Sequence, residues 1–226
     1  VWRGPKPFLA YHEPGSQTDL LAVENCALVS SEVNCLLSEF KELIECSPLP
    51  SISQIEIRQS FSSRALLVVL HSENKQGLTE AADRWLPRLS AHPGLTGIAG
   101  VINRQPEVKP VSIYGQLGLE EKFGEVILRY GPECFFQVNP PQLLSVVNEL
   151  KAWFRESKPV RLLDLYAGVG TFGFLLSDLA SEILAVESEP ANIFYFKKNL
   201  RLNQATNIKL VAGRVEQKLK EITDFN

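Results

Sequence analysis

An α/β fold is predicted: an N-terminal α+β domain over residues 1–138, followed over residues 139–226 by the first half of an open, doubly wound parallel sheet. Three observations predict it. As far as Tyr130, strand-like and helix-like stretches follow one another in no fixed order. Beyond Asn139 they alternate strictly, strand then helix, as parallel strands joined by crossover helices require. A glycine-rich turn, Gly168-Val-Gly-Thr-Phe-Gly173, separates the first of those strands from its helix.

Residues 1–20 are rich in Pro and Gly with weak periodicity, and read as irregular or edge-strand structure. From Val33, the apolar positions Leu36, Leu37, Phe40, Leu43 and Ile44 recur at three and four, one face of a helix. Ser30 or Ser31 caps it, and Pro48 and Pro50 close it off. Ile52, Ile55 and Ile57 lead into a strand, Arg64–His71 is a more continuous apolar one, and Leu78, Ala82, Trp85, Leu86 and Leu89 restore helical spacing. Strands at Gly97–Asn103, Val111–Gly115 and Glu125–Tyr130 complete a mostly antiparallel sheet.

Asn139 then caps a helix with Pro140 at its first position, where a missing N–H is harmless. Leu143, Leu144, Val147, Leu150 and Phe154 give that helix one apolar face. The parallel strands are Arg161–Tyr166, Glu182–Glu187 and Asn207–Val211. Their helices are Thr171–Leu179, Ala191–Asn203 and a third over Arg214–Ile222.

Composition removes several classes. With 45% hydrophobic and 22% charged residues the chain is globular rather than disordered or collagen-like. Its longest apolar run, Ala65 to Leu70, is strand-length, so no membrane span is expected. No signal peptide is visible at Val1, which points to a reducing cytoplasmic setting in which Cys26, Cys35, Cys46 and Cys134 stay thiols. The chain has no Met and reads as a piece of something longer. No C-x-x-C pair occurs and none of the three His is near a Cys in sequence, so no metal site is expected. Residues 1–150 carry 12 basic against 17 acidic side chains, and residues 151–226 carry 11 against 9, so a polyanion would meet the second half.

The glycine turn lies at the carboxyl edge of a parallel sheet, where ligands of open α/β folds bind. Glu187 ends the second strand, 19 residues after Gly168, placed to accept hydrogen bonds from two ribose hydroxyls. Gly168, Gly170 and Gly173 spell the G-x-G-x-x-G of dinucleotide sites, which alone is weak evidence. Asp164 favours one cofactor over the other. A carboxylate at that strand end suits the cationic methionine-derived end of S-adenosylmethionine and would repel the pyrophosphate of NAD.

Phe135-Phe-Gln-Val-Asn139, Leu163-Asp-Leu-Tyr-Ala-Gly-Val-Gly-Thr-Phe172, Val186-Glu187 and the spaced Asn199, Asn203 and Asn207 resemble the RNA uracil-5 methyltransferases, which make 5-methyluridine in ribosomal or transfer RNA. The resemblance implies a Rossmann-like class I methyltransferase sheet, S-adenosyl-L-methionine as cofactor and RNA as partner. It implies that Gln137, Tyr166, Thr171 and Glu187 contact the cofactor beside Asp164, with Gly168 and Gly170 shaping the pocket. Ala167 stands where many members have Cys, and Gly213-Arg214 offers no carboxylate for the adenine amino group. The family's nucleophilic Cys and base Glu are expected beyond Asn226, so no catalytic residue is expected in this chain.

Cys134 beside Phe135 is weighed as a nucleophile and read instead as a buried small hydrophobe, and Cys26, Cys35 and Cys46 as packing residues. Lys197, Lys198 and Arg201 read as a solvated helix face or a phosphate contact, with at least two of Phe194, Tyr195 and Phe196 packing inward. The first parallel strand is expected to leave an open edge through which the chain self-associates. Three alternatives stand: a class I methyltransferase acting on another RNA or a protein, a non-catalytic binding module, and an NAD oxidoreductase.

Overall fold

The computed structural model describes residues 8–16, 18–103, 110–157 and 161–222, which form two compact units. One is built from residues up to Ser60 with Arg64–Leu117, the other from Phe61–Ser63 with residues from Gly118 onward. The division therefore falls at 117/118, not at the expected 138/139. Among the described residues, no helix is long and apolar enough to cross a membrane.

In the first unit a short hairpin, β1 (Ala10–His12) with β2 (Leu20–Ala22), precedes α1 (Ser31–Cys46). Ser30 is the cap of α1, its hydroxyl accepting from the Val33 N–H at 3.3 Å. Val33, Leu36, Phe40 and Leu43 bury one face of the helix, as their spacing requires. β3 (Ile52–Gln59), β4 (Leu66–Ser72), β5 (Leu95–Ile102) and β6 (Val111–Gly115) form one sheet in that order.

The outer pairs of this sheet are antiparallel, but β4 and β5 run parallel. The sheet is thus mostly antiparallel, as expected, with one parallel pair at its centre. The connection between them carries α2 (Lys75–Arg84) and α3 (Leu86–Leu89), and a helical crossover is what returns a chain to a parallel neighbour. Leu66 to Leu70 are all buried, and Leu66, Val68 and Leu70 share one core with α1, α2 and α3. Trp85 closes the core against Phe40, edge to face at 5.9 Å, and donates its indole N–H to the Ser47 carbonyl at 2.9 Å.

The second unit opens with a hairpin of β7 (Leu119–Phe123) and β8 (Val126–Tyr130). β7 escaped the sequence reading because an inward position of its alternation is Glu121, buried to 1% exposure. Backbone satisfies that carboxylate: the N–H groups of Phe61 and Ser62 donate to it at 2.8 and 2.6 Å.

Asn139 caps α4 (Pro140–Ser157) as expected, accepting from the Gln142 N–H at 3.1 Å. β9 (Arg161–Leu165), β10 (Glu182–Glu187) and β11 (Ile208–Ala212) are parallel in the order β11-β10-β9. Between them lie α5 (Thr171–Leu175) with a 3-10 turn at Ser177–Leu179, and α6 (Pro190–Leu202), while α7 (Val215–Glu221) follows β11. β9 has β10 as its one strand partner among the described residues, so it is an edge of this sheet.

α6 is fastened to β8 by two asparagines one turn apart. Asn203 accepts from the Ile127 N–H at 2.9 Å and donates to the Ile127 carbonyl at 2.7 Å. Asn199, fully buried, accepts from the Arg129 N–H at 2.8 Å and donates to the carbonyls of Arg129 and Val169, both at 3.0 Å. Each side chain pairs with a strand as a neighbouring strand's backbone would. Asn199→Ala removes the partner of three backbone groups, one of them buried and two half-buried, and urea unfolding should register a loss of about 3 kcal/mol. A loss below about 1 kcal/mol would show that the amide is not what fastens the helix.

Candidate functional site

The site is assembled at the carboxyl ends of the three parallel strands. Asp164 lies in β9, one residue from its end, and its Oδ2 accepts from the Gly173 N–H on α5 at 3.0 Å. That bond spans the whole glycine turn and holds its far side to the strand. Gly170 has φ +95°, and a Cβ there would meet Phe174 at 2.5 Å and Phe196 at 2.8 Å, so only glycine fits. Gly168 has φ +58° but faces open space, with nothing within 4 Å of a Cβ. One glycine serves packing, and the other leaves room beside the turn.

Glu187 ends β10 and is buried. Its Oε2 accepts from the Gly168 N–H at 2.7 Å, and its Oε1 from the N–H groups of Ser188 and Glu189 at 2.7 and 2.8 Å. Its carbonyl accepts from the Gly213 N–H at 2.8 Å, so this residue joins the ends of all three strands. A carboxylate has about four acceptor positions. With three taken by backbone, room remains for one further donor on Oε2, where two ribose hydroxyls were expected.

Burial pushes the Asp164 carboxyl up to about 6, the Gly173 N–H opposes this, and the neighbouring Glu187 charge adds to it. The two acidic groups are thus unlike. Glu187 accepts from three backbone donors, while Asp164 carries a half-buried charge that a cation could relieve.

Tyr166 follows β9 at φ +56°, a conformation tyrosine seldom adopts, and is two-thirds exposed. Its hydroxyl donates to Glu216 on α7 at 2.8 Å, and the carboxylate holds the phenol above its ordinary range. Glu216 was not among the residues read from the sequence, because it stands inside a helix and not directly after β11. Thr171 opens α5. Gln137 lies half-buried in the segment before α4, and among the described residues no hydrogen bond ties it to the Asp164–Glu187 cluster. The structure therefore brings Asp164, Tyr166, Gly168, Gly170, Thr171 and Glu187 around one turn, and Gln137 is not hydrogen-bonded to that group.

Cys134 is buried, as a small hydrophobe would be. Burial, with the nearby Glu133 and Cys134, pushes the Tyr195 phenol up to about 12. Cys35 and Cys46 are exposed, which corrects their reading as packing residues. Phe196 and Tyr195 pack inward, while Phe194 stays exposed under Lys198, whose Nζ lies 4.2 Å from the ring centroid. A concavity lined by Phe174, Ser177, Asn203 and Asn207 opens at the amino ends of the strands and contains none of the site residues expected from the sequence.

Three comparisons bear on this arrangement. Residues 148–224 match the family model of the TRM5/TYW2 methyltransferase domain. An uncharacterized RNA methyltransferase from Synechocystis is 28% identical over 95% of this chain and 49% of its own length. Another, from Lactobacillus johnsonii, is 32% identical over 50% of this chain and 25% of its own length. The chain thus spans half or less of these curated relatives. The solved Pyrococcus abyssi tRNA (uracil-54, C5)-methyltransferase, in complex with S-adenosyl-L-homocysteine, superposes with a TM-score of 0.68 at 17% identity, over 86% of this chain and 50% of that one.

That superposition shows the fold: a mixed α/β chain whose second unit has the Rossmann-like sheet of S-adenosylmethionine-dependent methyltransferases. Assignment to the uracil-5 family is corrected. The family model that matches the glycine-turn half is that of TRM5/TYW2, and the relatives' names specify RNA and no base. The resemblance to uracil-5 enzymes rested on Phe135–Asn139 and on the glycine turn with its acidic strand end, and of these the turn and the strand end lie within the residues that the TRM5/TYW2 model matches.

The raised Asp164 carboxyl gives a signed pH dependence. Its folded value of about 6 lies above the ordinary 3.8, so the fold favours the protonated form. Stability from this group is present below about pH 4 and is lost as pH rises through about 6. Asp164→Asn should flatten that slope and raise unfolding stability at pH 7 by on the order of 1–2 kcal/mol, allowing for partial solvation. A slope unchanged in the variant would assign it to other groups.

Proposed function

We propose that this chain carries the cofactor-binding part of an S-adenosylmethionine-dependent RNA methyltransferase. The observation that carries the reading is the pairing of Asp164 and Glu187 across a glycine turn with open space at Gly168. The donor set fits the cofactor. Asp164 would face its cationic end, Gly168 would let it approach the backbone, and the remaining acceptor position of Glu187 Oε2 would take a ribose hydroxyl. The cofactor supplies a methyl group on a positively charged sulfur. What the chain supplies is binding and orientation, with Tyr166 and Glu216 bonded to each other beside the turn.

RNA as the substrate class is supported by the names of the curated relatives, one of them aligned over 95% of this chain. The 11 basic against 9 acidic side chains of residues 151–226 agree with a polyanion meeting this half. NAD is disfavoured because Asp164 would face a pyrophosphate at the same turn.

Calorimetric titration with S-adenosylhomocysteine tests the reading, with NAD in parallel. We expect the homocysteine compound to bind and NAD not to. Gly168→Ala should cost the fold only about 1 kcal/mol, since a Cβ meets nothing, yet weaken binding at least about tenfold by filling the approach. Affinity should rise from pH 5 to pH 7 as Asp164 ionises, with proton release near pH 6. Binding of NAD alone, or tight binding by a folded Gly168→Ala chain, would overturn the assignment.

A further inference from the structure

The first unit holds a cluster that the cofactor reading leaves unused. Cys35 and Glu39 stand four residues apart on α1, and so on one face of it. His92 comes from the turn between α3 and β5, far away in sequence. Backbone fixes it in place: its N–H donates to the Leu89 carbonyl at 3.0 Å, and its carbonyl accepts from the Leu95 N–H at 3.2 Å. One ligand atom from each of the three side chains, sulfur, carboxylate oxygen and imidazole nitrogen, lies within 4.8 Å of the others.

The His92 side chain is only 2% exposed, yet neither of its ring nitrogens has a hydrogen-bond partner. Glu39 Oε2 is likewise buried and unpaired. The nearest approach of the two groups, His92 Nε2 to Glu39 Oε1, is 4.0 Å, too long for a hydrogen bond. Buried polar atoms almost always find partners, so an imidazole with both nitrogens unpaired beside a carboxylate with an unpaired buried oxygen points to something that fits between them. Arg88, the cation whose field Glu39 reaches, is engaged by Glu42 and so is not that partner.

We propose that Cys35, Glu39 and His92 form a binding site for a borderline divalent cation, zinc first. Thiolate, carboxylate and imidazole together suit zinc or cobalt, whereas magnesium and calcium take all-oxygen sets. A tetrahedral centre spaces its ligand atoms roughly 3.3–3.7 Å apart, so three atoms already within 4.8 Å of one another need only about an ångström of closure. On binding, the Cys35 thiol releases its proton to solvent and the sulfur bonds the metal. Cys35 is exposed, so water can fill the fourth position from its side. The ion would clamp α1 to the turn that leads into β5, a long-range staple on the core of the first unit.

The test is cobalt(II) titration of the chelator-stripped chain. The expected result is a near-ultraviolet thiolate-to-cobalt band saturating at one ion per chain and displaced by zinc, with zinc raising the thermal midpoint. Cys35→Ser, on an exposed position, should abolish the band while keeping a native circular dichroism spectrum. His92→Gln and Glu39→Gln should each weaken cobalt affinity at least about tenfold. Cys46→Ser should leave the titration unchanged. No band in the wild-type chain overturns the site, as does a band that survives Cys35→Ser or keeps full affinity in both His92→Gln and Glu39→Gln.

Discussion

The second unit depends on one primary amide. Asn199 satisfies both backbone groups of Arg129 and the carbonyl of Val169, and it does so with no exposure to water. Val169 is the residue between Gly168 and Gly170. The same side chain therefore secures β8 to α6 and holds the middle of the turn on which a ligand would rest. A buried amide with all its bonds made is directional where hydrophobic contact is not, and that fixes the turn's conformation, not merely its position. Asn203 repeats the pairing one turn along, which sets the register of α6 against β8.

From that anchor the electrostatics follow. Glu187 collects backbone N–H groups from Gly168, Ser188 and Glu189, so its charge is compensated before any ligand arrives. Asp164 has one such donor and a buried surround, and its carboxyl is pushed up. One carboxylate acts as a structural joint and the other holds charge in reserve. Division of labour between like groups, set by environment and not by residue type, is how a small turn can be firm and still receive a cation.

Much of this was legible in the sequence because it is local. The strand-turn-helix order around Gly168, the Asn139 cap and the apolar faces of α1 and α4 all follow from spacing alone. What escaped is held together across distance. β7 is disguised by Glu121, whose partners at Phe61 and Ser62 lie about sixty residues earlier. The β7–β8 hairpin joins the second unit through asparagines about seventy residues later, whose four-residue spacing is visible in the sequence while their pairing with β8 is not. Tyr166 and Glu216 meet only because β9 and β11 flank the same strand. Family membership was misread for a related reason: a cofactor turn is shared by enzymes that differ in the base they modify.

The two glycines also differ in what history could do with them. Gly170 is locked between Phe174 and Phe196, so its loss removes the folded unit together with whatever the unit binds. Gly168 borders open space, so its loss spares the scaffold. A descendant could shed its ligand at Gly168 and persist as an inert, folded partner, a route by which an enzyme lineage gives rise to a binding protein. Gly170 offers no such descent.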